Sequence, residues 1–157
     1  MRFLLGTLAV LALSGCVTPQ SDVSSLKVSK TIVSYVRDVV PGMETAAYLA
    51  FDNQGGEDRL LSVHCNCADR VEIHHMVGEG ADRKMVIEPH FVIPGNARSA
   101  IEPPGLEWHL MLRDVKQVIP IGSEVEMTLE FEHAGEQNYR FVAVDGTKAA
   151  WDRMGDQ

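Results

Sequence analysis

The chain reads as an all-β domain, an antiparallel β-sandwich with Greek-key connections. Three observations carry that expectation. Apolar and polar residues alternate over short runs, turn-forming Gly, Pro, Asn and Asp punctuate the runs, and no stretch of about twelve residues sustains a helical period. About eight or nine short strands result, with no internal repeat. A length of 157 residues suits one such domain with a real core and is short for two.

Taken in order, residues 28–36 are rich in β-branched side chains and open the domain. Pro41-Gly42 breaks the chain before a strand at residues 45–51, and Asp52-Asn53-Gln54-Gly55-Gly56 turns it. Residues 59–63 and 70–77 are the next strands, with Cys65-Asn66-Cys67 between them. Residues 78–82 make a hairpin turn that returns through residues 84–87. Pro94-Gly95-Asn96 and Pro103-Pro104-Gly105 punctuate the next region, the second pair of prolines bending the chain just before Trp108-His109-Leu110-Met111-Leu112. Residues 124–131 alternate cleanly, with Val125, Met127, Leu129 and Phe131 on one face and glutamates on the other. Ala134-Gly135-Glu136 then turns the chain into a last strand at residues 138–144.

The organisation expected is a leader at residues 1–15, a lipidated Cys16 with a polar tether over 16–25, the sandwich over 26–146, and a polar tail over 147–157. Residues 3–13 are apolar but too short to span a membrane as a mature helix. They end in Leu13-Ser14-Gly15-Cys16, which resembles the bacterial lipobox, a signal whose Cys becomes the lipid-bearing first residue of the exported protein. An ordinary secretory leader is the alternative, though Leu13-Ser14-Gly15 fits a small-x-small cleavage site less well. The expectation is a periplasmic or otherwise extracytoplasmic lipoprotein, anchored by lipid and not transmembrane. With 14 Lys+Arg against 22 Asp+Glu and no basic stripe, a nucleic-acid partner is not expected. With Cys16 lipidated, Cys65 and Cys67 are the remaining pair, one residue apart. They read either as thiols able to hold Cu(I) or exchange electrons, or as partly buried small residues joined in a tight, easily reduced disulfide.

The chemistry-bearing residues are His74, Met76, Met85, His109 and Met111. On a strand, His74 and Met76 share a face, as do His109 and Met111, while Val71, Ile73, Leu110 and Leu112 take the opposite, core-facing side. His75 has the core parity and reads as packing or support; His90 and His133 lie near turns and read as solvent-facing. Ten residues separate His74 from Met85, a spacing that suits paired strands of one hairpin. A lone Met on a strand is usually core filler. A paired imidazole and thioether is a soft donor set that suits Cu(I) and does little for Mg²⁺ or Ca²⁺, and structural Zn²⁺ asks for Cys with His. Imidazole binds metal only when neutral, so affinity should fall below about pH 6.5.

Val71-Glu72-Ile73-His74, then Met85, then His109-Leu110-Met111-Leu112, with Leu129-Glu130-Phe131-Glu132-His133-Ala134-Gly135 beyond, resembles the PCuAC family of periplasmic copper chaperones. The likeness covers roughly residues 45–144 and includes Ala46-Ala47-Tyr48, the turn at 53–58 leading to Arg59-Leu60, and Lys116-Gln117. It implies a cupredoxin-like sandwich and a Cu(I) site made by His74, Met85, His109 and Met111; from the residues themselves, Met76 is a substitute or fifth donor and Cys65 and Cys67 are additional candidates. It also implies that copper is handed to an accepting protein, a cytochrome oxidase subunit or another copper chaperone; the carrier itself is expected to be monomeric. The chain departs from the pattern in three places. The 23 residues between Met85 and His109 are slightly more than usual, which lengthens the loop around 101–107. The tail holds Met154 as its one Met, where the family often carries a Met- or His-rich extension. His64-Cys65-Asn66-Cys67 stands where small residues are general.

A blue-copper electron carrier needs a Cys thiolate near its His and Met, and the second half of the chain contains no Cys. Holding Cu(I) for transfer is therefore the leading expectation, and no Ser-His-Asp, paired-carboxylate or phosphate-loop arrangement argues for an enzyme. A thiol-disulfide protein acting through Cys65 and Cys67, and a structural envelope lipoprotein, are the alternatives.

Overall fold

The computed structural model describes residues 25–35, 39–102 and 107–146. Ten strands carry the fold: β1 (Leu26–Tyr35), β2 (Thr45–Asn53), β3 (Asp58–His64), β4 (Ala68–Val77), β5 (Lys84–Glu88), β6 (Phe91–Ile93), β7 (Ala97–Ile101), β8 (Trp108–Val115), β9 (Glu124–Phe131) and β10 (Gly135–Asp145). A 3-10 turn, Gly80–Asp82, sits in the β4–β5 hairpin. The hydrogen-bonded order is β5-β4-β8-β2-β1-β10-β9-β3-β6, with β7 also paired to β2. β8 pairs with the start of β2 (Thr45 to Ala47) and β7 with its remainder (Leu49 to Asn53), so the two lie end to end along one side of it.

This ribbon folds over into a sandwich. Phe51 of β2 stacks on Phe91 of β6 with ring centroids 5.6 Å apart and meets Phe131 of β9 edge-on at 6.4 Å. Phe91 in turn meets Trp108 of β8 at 5.1 Å. Strands far apart on the hydrogen-bonded path thus face one another, and the core lies between them. The alternation in β9 does what its sequence predicts: Val125, Met127, Leu129 and Phe131 are buried while Glu124, Glu126 and Glu130 are exposed.

Two buried polar residues fasten the strand ends. The Asn53 amide donates to the carbonyls of Gly56 (2.7 Å) and Pro94 (3.2 Å) and accepts from the Gly55 N–H (3.0 Å). The Asp58 carboxylate accepts from the N–H groups of Arg59 (2.8 Å), His133 (2.9 Å) and Ala134 (3.0 Å), tying β3 to the β9–β10 turn. These charge-assisted bonds explain how an acidic residue 4% exposed is tolerated.

Two strands exceed the expectation, β6 and β7, three and five residues long and joined through Pro94-Gly95-Asn96. Runs that short carry too little alternation to stand out from loop sequence. One pairing is parallel, β1 with β10, in a sheet otherwise antiparallel. Alternation reports which face a residue takes and says nothing of strand direction, so the sequence could not show it. The leader, Cys16, the tether before Ser25, the tail beyond 146, and residues 103–106 of the loop before β8 lie outside the described residues. Among the described residues no helix is long and apolar enough to cross a membrane.

Candidate metal centre

Strand register assembles the site. In the β4–β8 ladder His74 stands opposite His109, Glu72 opposite Met111 and Ile73 opposite Leu110. In the β4–β5 ladder Met76 stands opposite Met85, and His74 opposite Ile87. Glu72, His74, Met76, Met85, His109 and Met111 therefore share one face of three adjacent strands. Ile73, Leu110 and Leu112 occupy the other face and fill the core.

His74 is the hub. Its Nδ1 lies 3.0 Å from the Met85 sulfur, and its ring meets the His109 ring edge to face at 5.2 Å between centroids. Its Nε2 lies 2.8 Å from a Glu72 carboxylate oxygen. Met85 and Met111 are both diagonal neighbours of His74 across their ladders, which is within reach of a long side chain.

The electrostatics fix the donor atom. Burial pushes the Glu72 carboxyl up, but hydrogen bonds and charge from Arg70 and His74 outweigh it and hold the group below the usual carboxylate range. Arg70 Nε donates to Glu72 at 2.7 Å, and Arg113 stands 3.9 Å away while pairing with Glu44 at 2.7 Å. An ionised carboxylate only accepts, so His74 Nε2 must carry the proton that Glu72 receives. In the neutral ring Nδ1 then presents a lone pair toward the Met85 sulfur, itself a lone-pair donor. A soft cation held by both atoms would turn that unfavourable contact into two donor bonds, and imidazole with thioether is a donor set that fits Cu(I). Among the described residues, with the Cys65–Cys67 disulfide closed, no three His, Cys, Asp or Glu side chains gather as a metal cage, so a larger donor set here draws on the thioethers.

Some sequence expectations are corrected. His74 and His109 share the face opposite the core yet are buried, 3% and 7% exposed, with the two rings packed edge to face. Met85, 47% exposed, is the outward donor. Met76 sits against Met85 across the hairpin and remains near the site. Cys65 and Cys67 do not join it. Cys67 lies seven residues before His74, roughly 23 Å along an extended chain, and the two cysteines are joined in a disulfide with both residues buried. His75 packs as expected, stacked on Trp108 at 4.0 Å. His133 is exposed, while His90 is half-buried. Sequence reasoning missed Glu72, whose one signal was an acidic residue at the same strand parity two positions before His74.

The LpqE-like family model matches residues 27–144. Among solved structures, the chain is similar to the copper-bound PCuAC domain from PmoF2, with 26% identity over 79% of this chain and 95% of that one and a TM-score of 0.62. It is similar to the apo PCuAC domain from PmoF1 at 26% identity, covering 80% and 97% of the two chains with a TM-score of 0.61. The solution structure of CuI-DR1885 from Deinococcus radiodurans shares the fold at 21% identity, with 81% and 82% covered and a TM-score of 0.57. None of the curated proteins matches the chain.

Proposed function

The chain belongs to the LpqE-like family, and on that footing we propose that it is an extracytoplasmic copper(I) chaperone. His74, Met85, His109 and Met111 are the ligands in this reading, with Met76 in reserve. The observation that carries it is the 3.0 Å approach of His74 Nδ1 to the Met85 sulfur beside the His109 ring. The likeness to a copper-bound PCuAC domain supports the choice of metal.

The site's asymmetry suits transfer. Two buried imidazoles hold the ion from within, while Met85 faces outward on β5, the terminal strand of the sheet. Thioether is a weak neutral donor, so an incoming ligand from the acceptor displaces Met85 first and the remaining donors in turn. Copper stays Cu(I) throughout, and no covalent bond of the protein is made or broken. The cysteines are distant from this site and disulfide-bonded, which disfavours a blue-copper electron carrier. The acceptor is a copper protein, a cytochrome oxidase subunit or a second chaperone, and lipid at Cys16 holds the carrier at the membrane.

The test is a titration of the mature protein with Cu(I) against a competing chromophoric chelator. His74→Ala/Met85→Ala and His109→Ala/Met111→Ala should each lose tight binding. A His109→Ala/Met111→Ala protein that keeps wild-type affinity overturns this ligand set.

A further inference from the structure

A second chemistry-bearing group lies at the other end of β4. β3 ends at His64 and β4 begins at Ala68, so Cys65, Asn66 and Cys67 form the connection. The disulfide between the two cysteines borders a cleft of about 200 Å³, also lined by His64, Gln117, Glu124 and Thr128. A disulfide that closes so small a loop removes little freedom from the unfolded chain, so stability is a weak reason for it. The connection is also held without it. The Ala68 N–H donates to the Cys65 carbonyl at 3.3 Å and the Lys116 N–H to the Cys67 carbonyl at 2.7 Å. The connection, its two Cα atoms 5.1 Å apart, is thus also tied by backbone bonds that do not run through the S–S bond.

We propose that His64, Cys65 and Cys67 form a redox-gated second site for a soft monovalent cation of the Cu(I) class, closed as the disulfide and open as the dithiol. Opening needs a dithiol reductant. One of its thiolates attacks a cysteine sulfur, the S–S bond breaks and a mixed disulfide forms; its second thiol displaces the remaining cysteine. The reductant leaves as its own disulfide, and Cys65 and Cys67 have gained two electrons and two protons. Cu(I) then replaces both thiol protons, forming two copper–sulfur bonds, with neutral His64 as a third donor. Both protons pass to solvent, and copper does not change oxidation state. Glu124 and Glu126, also on the cleft wall, favour a cation over an anion there. The site shares no side chain with the His74 centre, so either can fail without the other.

The full chain carrying Cys16→Ser, which leaves Cys65 and Cys67 as its only cysteines, is prepared oxidised and, in parallel, reduced with dithiothreitol and desalted anaerobically. Maleimide mass shifts count free thiols, circular dichroism reports folding, and Cu(I) is titrated against a chromophoric chelator. The reduced protein should take up one more equivalent of Cu(I) than the oxidised protein, with thiolate-to-copper absorption in the ultraviolet. His109→Ala/Met111→Ala should keep that extra equivalent, Cys65→Ser/Cys67→Ser should lose it, and His64→Ala should weaken it. Equal stoichiometry in the two wild-type redox states overturns the proposal. So does a disulfide that yields to reductant only as the fold is lost.

Discussion

At His74 the decisive neighbour is Glu72. By accepting the Nε2 proton it selects the tautomer that presents Nδ1 to the Met85 sulfur, and Arg70 holds it in that role. Losing such a support typically costs 10- to 100-fold in metal affinity. Glu72→Ala should therefore weaken Cu(I) binding by roughly that factor in chelator competition, while Glu72→Gln, still able to accept at one oxygen, should lose less. The pH dependence has a definite sign. The Glu72 carboxyl is held below its unfolded value, so its contribution to folding is fully present above the ordinary carboxylate range. It is lost as pH falls through the lowered folded value. Denaturation of wild type and Glu72→Gln should accordingly differ at neutral pH and converge in strong acid.

The β4–β5 hairpin is the element that delivers Met85. It turns at Gly78, whose φ of +86° is open to glycine, and an added Cβ would stand 2.6 Å from the Asp82 carbonyl oxygen. Gly78→Ala should cost roughly 2 kcal/mol or more and weaken Cu(I) binding by shifting Met85 against His74. Thermal melts and copper titration of one preparation check both halves of that expectation. A variant with unchanged copper affinity would show that the site does not depend on this turn. Elements of this size were legible where polarity alternates over a full strand: β9 lies at residues 124–131, where its glutamates alternate with Val125, Met127, Leu129 and Phe131. β7, with Arg98 and Ser99 among five residues, offers no such contrast and becomes a strand because β2 has a free side to pair with.

Across the whole molecule, Phe51 joins the two sides of the sandwich through Phe91 and Phe131. Phe51→Ala should lower stability by about 3–5 kcal/mol in denaturant unfolding, yet the fraction that stays folded should bind Cu(I) as wild type does, since the ring lies away from the His74 face. Equal stability would mean that other contacts hold the halves together. Period-two alternation was enough to establish an all-β chain, to separate His74, His109 and Met111 from Ile73, Leu110 and Leu112, and to suggest a soft donor set, because the face a strand residue takes is a local property. Register and wrapping are not local. That His74 stands opposite His109 depends on a ladder between strands more than thirty residues apart in sequence. The burial of both rings and the reach of Met85 to Nδ1 depend on how those strands twist and pack. The separation of the Cys65–Cys67 disulfide from that centre comes from β4 running extended between them, a distance that spacing in sequence bounds but only the folded path makes real.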